Sequence, residues 1–91
     1  MAIRIIVNMQ ALPGKGAELA RLRAPRHAEV RQDPGCEQFD LFQNTEDPDH
    51  LLLVERWTDA ESLAAHYALN RPQVGVELRA GTGKSERYEV D

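Results

Sequence analysis

Two side chains with acid–base chemistry stand among apolar neighbours in the stretch Leu51 to His66, LLLVERWTDAESLAAH: Glu55 and His66. Histidine changes charge near neutral pH, so His66 could act as a general base. Its plain alternative is a structural ring bonded to Glu55 or to a backbone carbonyl. An isolated buried carboxylate is costly, so Glu55 is expected to pair with an arginine of its own or a partner subunit. That gives it a structural or interface role rather than a catalytic one. Asn8, Tyr67 and Trp57 are candidates for contact with a substrate. Asn8 could bind a substrate oxygen or be a solvated strand amide. Tyr67 could hydrogen-bond a quinone oxygen or form half-exposed core, and the same choice holds for Tyr88. Trp57 is core or interface first and an aromatic platform second.

The remaining reactive types are less pointed. Cys36 follows a turn glycine with no base arranged to activate it, so it reads as a small buried residue. His27 and His50 read as surface residues. Three widely spaced histidines and one cysteine do not make a metal ligand set. Gly81-Thr82-Gly83 lacks the strand-then-helix setting of a phosphate loop.

These residues need elements to hold them. Leu51–Thr58 has no Gly or Pro and reads as a strand, with Leu51, Leu53, Glu55 and Trp57 on one face and Leu52, Val54, Arg56 and Thr58 on the other. Thr58 as N-cap with Glu61 three residues on forms a capping box for the next helix. Leu63, His66, Tyr67 and Asn70 then share a stripe. Ala2–Ala11 is a strand with Ile3, Ile5, Val7 and Met9 opposite Arg4, Ile6, Asn8 and Gln10. After the Pro13–Gly16 turn, a helix spans about Lys15 to Gln32 with Leu19, Leu22, Arg26 and Val30 inward. Pro25 should kink or split it. Asp33-Pro34-Gly35 stops it. Cys36–Asn44 is a strand with Phe39 and Leu41 opposite Cys36 and Phe42, and Thr45–His50 closes a hairpin. Gln73–Arg79 is a short helix and Lys84–Val90 a last strand.

The order βαββαβ predicts an α+β, ferredoxin-like fold over residues 1–91 as one domain: a four-stranded antiparallel sheet with both helices on one face. The strands are apolar on both sides, so a second copy packed sheet to sheet is expected to cover the other face. A chain this short buries only about 65% of its unfolded surface, which also favours oligomerisation. Eleven basic against 15 acidic residues, a net charge of −4, leave no basic stripe for nucleic acid. No apolar run is long enough to span a membrane. Met1 leads straight into a strand-like segment, so no secretory leader is expected and the cytoplasm is the default compartment.

Several of these features coincide with a known pattern. Pro34-Gly35-Cys36 opening the second strand, the EDPDH hairpin (Glu46–His50), Glu55-x-Trp57-x-Asp59, His66 and the Pro13-Gly14-Lys15 turn resemble the antibiotic biosynthesis monooxygenase family over essentially the whole chain. The resemblance implies a dimeric α/β barrel with a pocket between sheet and helices in each subunit. His66 matches the slot of a pocket-facing side chain on the second helix. Asn8 resembles the asparagine of haem-degrading members, but those need a later axial histidine, and no histidine follows His66. The resemblance implies a cofactor-independent monooxygenase acting on a hydroquinone or polycyclic phenol. In it, His66 is the base and Asn8 and Tyr67 orient the substrate. The alternative is a dimer of the same fold that binds or isomerises a small molecule without oxygen chemistry.

Overall fold

The computed structural model describes all residues, Met1–Asp91. Four strands, β1 (Ala2–Gln10), β2 (Cys36–Gln43), β3 (His50–Trp57) and β4 (Lys84–Val90), alternate with α1 (Gly16–Val30) and α2 (Ala60–Ala68). One 3₁₀ turn, Val76–Leu78, precedes β4. The sheet is antiparallel throughout in the order β2-β3-β1-β4, the ferredoxin-like arrangement the element order predicts. Residues of β1 and β3 pair as Ile5 with Glu55 and Val7 with Leu53, so the two inner faces coincide. Ile3, Ile5, Met9, Leu51, Leu53, Trp57 and Phe39 pack there with Leu19 and Val30 of α1 and Leu63 of α2.

The helices cover β1, β2 and β3 and leave the last strand open. From Lys84 to Glu89, β4 is exposed. It carries Ser85, Arg87 and Glu89 opposite Val7, Ile5 and Ile3, on the helix side of the sheet. A polar inner face is tolerable there because nothing apolar packs on it.

Several local expectations change. The cap of α2 is Asp59, whose Oδ1 accepts from Ser62 N–H at 2.8 Å. Thr58 does not serve: its N–H is held by Gly35 O at 2.8 Å, and its Oγ1 donates to Glu37 Oε2 at 2.9 Å instead of turning to the helix. Helix α1 is assigned without a break through Pro25, which is exposed, where water can replace the missing hydrogen bond. The buried residues of α1 are Gly16, Leu19, His27 and Val30, while Leu22 is exposed. Successive residues turn by about 100°, which aligns Leu19, Arg23, His27 and Val30 and puts Leu22 on the flank. A β-bulge between Cys36 and Gln38 shifts the register and turns Cys36 to the Phe39 side, not the Phe42 side. The helix expected over Gln73–Arg79 shrinks to Val76–Leu78, because Gly75 sits at φ 78°, outside helical space. A side chain at Gly75 would also run into Leu19.

The hairpin between β2 and β3 organises the start of α1. Asn44 Oδ1 accepts from Glu46 N–H at 2.8 Å and from Asp47 N–H at 3.1 Å, forming an Asx turn. Asp49 then accepts from Gly14 N–H and Gly16 N–H, both at 2.9 Å. That carboxylate satisfies the helix N-terminus, where Lys15 makes no side-chain cap.

Candidate active site

The inner face of the sheet is not filled completely. A cavity of about 490 Å³ lies over β1 and β3, floored by Ile5, Val7, Met9 and Leu53. Glu55, His66, Tyr67, Arg23, Arg79 and Arg87 bring polar groups to its walls, with Gln73, Gly83 and Ser85. A smaller space of about 250 Å³ adjoins it and shares Arg23, His66, Tyr67 and Gln73. An apolar floor with a few convergent polar groups is the usual form of a small-molecule site.

The segment from Leu69 to Gly83 closes one side. It is tied to α1 by Arg23 Nη1 on Val74 O at 3.2 Å and Arg26 Nη1 on Pro72 O at 2.6 Å. It is tied to the end of β1 by Leu12 N–H on Leu78 O at 2.8 Å and Ala80 N–H on Gln10 O at 2.7 Å. These bonds fix Arg79 as a wall of the cavity.

His66 lies in the last turn of α2. Its Nδ1 is 3.0 Å from Asp33 Oδ2, closer than the 3.4 Å to Arg71 Nη1. Arg71 grips Asp33 from the other side, Nη1 to Oδ2 and Nη2 to Oδ1, both at 2.7 Å. This bidentate bond, and secondarily the one to His66, lowers the Asp33 pKa to about 2. Asp33 therefore stays a carboxylate across ordinary pH and places the proton of neutral His66 on Nδ1. Nε2 is left as the acceptor. It has no hydrogen bond within the protein, and His66 is one of the residues lining the cavity. The ring is fixed by aromatic neighbours, Trp57 at 4.6 Å and Phe39 at 6.0 Å between centroids.

Glu55 is 5% exposed and forms no ion pair within the chain, which corrects the expected bridge to an arginine of its own subunit. Its partner is Trp57 on the same strand: indole Nε1–H donates to Oε1 at 2.9 Å. Burial pushes the carboxyl up from its ordinary range, against the opposing pull of that bond, His66 and Arg23. Oε2 has no hydrogen bond, and Glu55 lines the cavity. Glu55 is thus a second titratable group on the same space.

Trp57 is wholly buried and lines neither cavity, so it is core, not a substrate platform. It nonetheless supports the site, stacking on His66 and bonding Glu55. Asn8 is on the outer face of the sheet, paired in register with Leu52, and its Oδ1 meets His50 Nε2 at 2.9 Å. The expected contact of Asn8 with a substrate in the His66 cavity is therefore corrected: strand alternation turns it away. Tyr67 is 59% exposed and borders both spaces. Burial of part of the ring and the nearby Glu55 push its phenol up, so it remains an O–H donor.

His27, expected at the surface, is 2% exposed. Its Nε2 accepts from Arg23 Nε at 3.1 Å, and it meets the Phe39 ring edge-on at 5.0 Å. Burial, then Arg23 and Arg31, lower its pKa to about 4, so it is neutral at pH 7. Cys36 follows the expected inert reading, since burial raises its thiol and no base adjoins it. The residues that sequence reasoning missed are Asp33, Arg23, Arg79 and Arg87. For Arg87 a signal existed in the alternation of β4. For Asp33 none did, because its partner is 33 positions away.

A ferredoxin-like α+β domain with an open cavity on the helix side of its sheet, walled by Glu55 and His66, is the class of protein these features define. The family model described as antibiotic biosynthesis monooxygenase matches residues 2–73, and the chain belongs to that family. A solved structure described as an antibiotic biosynthesis monooxygenase is 23% identical, with 98% of each chain covered and a TM-score of 0.81. A conserved protein from Methanosarcina mazei Go1 is 24% identical, covering 100% of this chain and 94% of that one, with a TM-score of 0.81. A Pseudomonas aeruginosa protein is 26% identical over 99% of this chain and 95% of its own, with a TM-score of 0.77. Among curated proteins none matches the chain. No helix is long and apolar enough to cross a membrane.

Proposed function

We propose that the protein is a cofactor-independent monooxygenase that oxidises a hydroquinone or polycyclic aromatic phenol with O2. The observation that carries this reading is His66: a ring oriented by a permanent carboxylate, with its free nitrogen on an apolar-floored cavity. His66 Nε2 takes the phenolic proton, and the resulting anion gives up an electron to oxygen far more readily than the neutral phenol. One oxygen atom forms a new ring C–O bond and the other leaves as water. Four electrons come from the substrate, so a hydroquinone and O2 yield a hydroxyquinone and water. Tyr67 donates to a substrate oxygen, and Glu55 Oε2 is the second group able to hold a proton. Oxygen uptake with menadiol-like quinols tests this. The rate should exceed the protein-free rate and fall in His66→Ala. Uptake no faster than the background across several quinols would overturn it.

The presence of two proton-transfer groups, Glu55 and His66, on one cavity also favours a second reading, isomerisation without oxygen. It requires solvent deuterium to enter a substrate C–H position under nitrogen, which the oxygenase reading does not.

The working unit in this proposal is a homodimer. Ile6, Leu52 and Val54 are only partly covered on the outer face, and Phe42 and Tyr88 beside them are exposed. A second copy of the same face would bury them.

A further inference from the structure

We infer that the substrate cavity selects an aromatic molecule bearing a carboxylate, held by Arg23, Arg79 and Arg87. This rests on that cavity being the substrate site. Of the nine arginines, Arg26, Arg31, Arg56 and Arg71 lie in ion pairs; Arg23, Arg79 and Arg87 do not, nor do Arg4 and Arg21, which line no part of the cavity. Acidic residues outnumber basic ones by 15 to 11, so carboxylates were available as partners. Yet Glu55 is the sole acidic residue lining the space. Burial holds that residue toward its neutral form. The cavity therefore carries a surplus of positive charge inside a protein whose net charge is −4.

Arg23 is built in: it is half-buried and anchored through Nε to His27 and through Nη1 to Val74 O, which leaves Nη2 free. Arg79 lines the same cavity, and burial first, then Arg79 and Arg26, lower the basicity of Arg23. Arg79 lies against Gly83, where a Cβ would come within 2.6 Å of its Nη2. Any side chain at position 83 would displace that guanidinium. Arg87 projects from β4 in the same cross-strand row as Ile5 and Glu55. Guanidinia bind carboxylates through paired N–H donors, and the floor of Ile5, Val7 and Leu53 takes an aromatic body. A planar carboxylate lies in the plane of the aromatic body, whereas a tetrahedral phosphate would set its second charge against the apolar floor of Ile5, Val7 and Leu53.

Calorimetric titration with 2-naphthoate, 2-naphthalenemethanol and 2-naphthyl phosphate tests the inference without reference to turnover. The naphthoate should bind about ten-fold or more tightly than the neutral alcohol, and more weakly as salt is raised. Arg79→Gln with Arg87→Gln should abolish the preference, and Arg79→Lys with Arg87→Lys should restore part of it. Circular dichroism confirms that each variant is folded, and the exposed Arg87→Gln alone serves if the double variant is not. Equal binding of acid and alcohol, a preference that survives in the glutamine variants, tighter binding of the phosphate, or no binding of naphthoate would each overturn the inference. Oxygen uptake with 1,4-dihydroxy-2-naphthoate against 1,4-dihydroxynaphthalene separates the two proposals. Arginine-dependent naphthoate binding with no uptake removes the oxygenase reading alone. Equal uptake from both quinols, with no carboxylate preference in binding, removes this inference alone.

Discussion

His66 Nδ1 lies 3.0 Å from Asp33 Oδ2, joining the last turn of α2 to the turn that ends α1. The pair fixes which ring nitrogen carries the proton, and hence which one can accept another. In the proposed reaction Asp33 is a positioning residue and His66 the group that meets substrate.

His66→Ala should lower turnover by about 10²-fold or more while leaving the protein folded. Asp33→Asn should lower it as well, for a different reason. An asparagine amide facing Nδ1 favours the other tautomer, with the proton on Nε2. The ¹⁵N shifts of the His66 ring report that exchange directly, and a merely structural Asp33 would leave them unchanged.

Glu55→Gln and Glu55→Ala should have opposite effects on stability. The glutamine keeps an oxygen for Trp57 Nε1–H and removes a charge that burial disfavours. It should be at least as stable as wild type at pH 7. Alanine strands the buried indole N–H and should cost about 1–3 kcal/mol. A carboxyl whose folded pKa is raised costs stability above that pKa and none below the unfolded one. The advantage of the glutamine should therefore shrink as pH falls. Denaturant titrations at fixed protein concentration decide this, and a less stable Glu55→Gln at pH 7 would reveal a hidden ion pair.

Acid stability should depend on His27. A histidine with its folded pKa lowered to about 4 is protonated first in the unfolded chain, so stability drops as pH falls from about 6.5 to about 4. His27→Gln keeps an acceptor for Arg23 Nε and cannot titrate. It should lose about 1–2 kcal/mol less than wild type across that window, part of the effect being screened by solvent. Below about pH 3.8 both proteins should weaken together, as Asp33 is protonated through its folded pKa of about 2. Identical pH profiles for the two proteins would contradict the buried, neutral ring.

Light scattering at micromolar concentration should return about twice the 10.3 kDa chain mass. A stable pairing of outer sheet faces buries at least about 1,200 Å² in total. Val54→Glu, which puts a charge in the middle of that face, should return the single-chain mass. A wild-type mass of one chain would rule out the dimer.

Much of the fold was written in local pattern. Alternation in Leu51–Trp57 assigned every inner residue of β3, because a strand's side-chain period of two leaves no freedom once one face is buried. The order of elements, with turns at Gly14 and Gly35, determined the ferredoxin-like topology, and the spacing from Leu63 brought His66 to the cavity. Where tertiary contact intervened, local pattern failed. Thr58 has the chemistry of a cap, but its backbone is held by Gly35, so Asp59 takes the role. His27 has the look of a surface residue, but the turn of α1 aligns it with Leu19 and Val30 under Phe39. Glu55 was marked as buried by its neighbours, yet only the folded chain chose the indole of Trp57 over an arginine. Asp33 and the three cavity arginines come from the end of α1, its middle, the loop before β4 and β4 itself. Their meeting depends on how helices and loops close over the sheet, and no spacing within any one element encodes it.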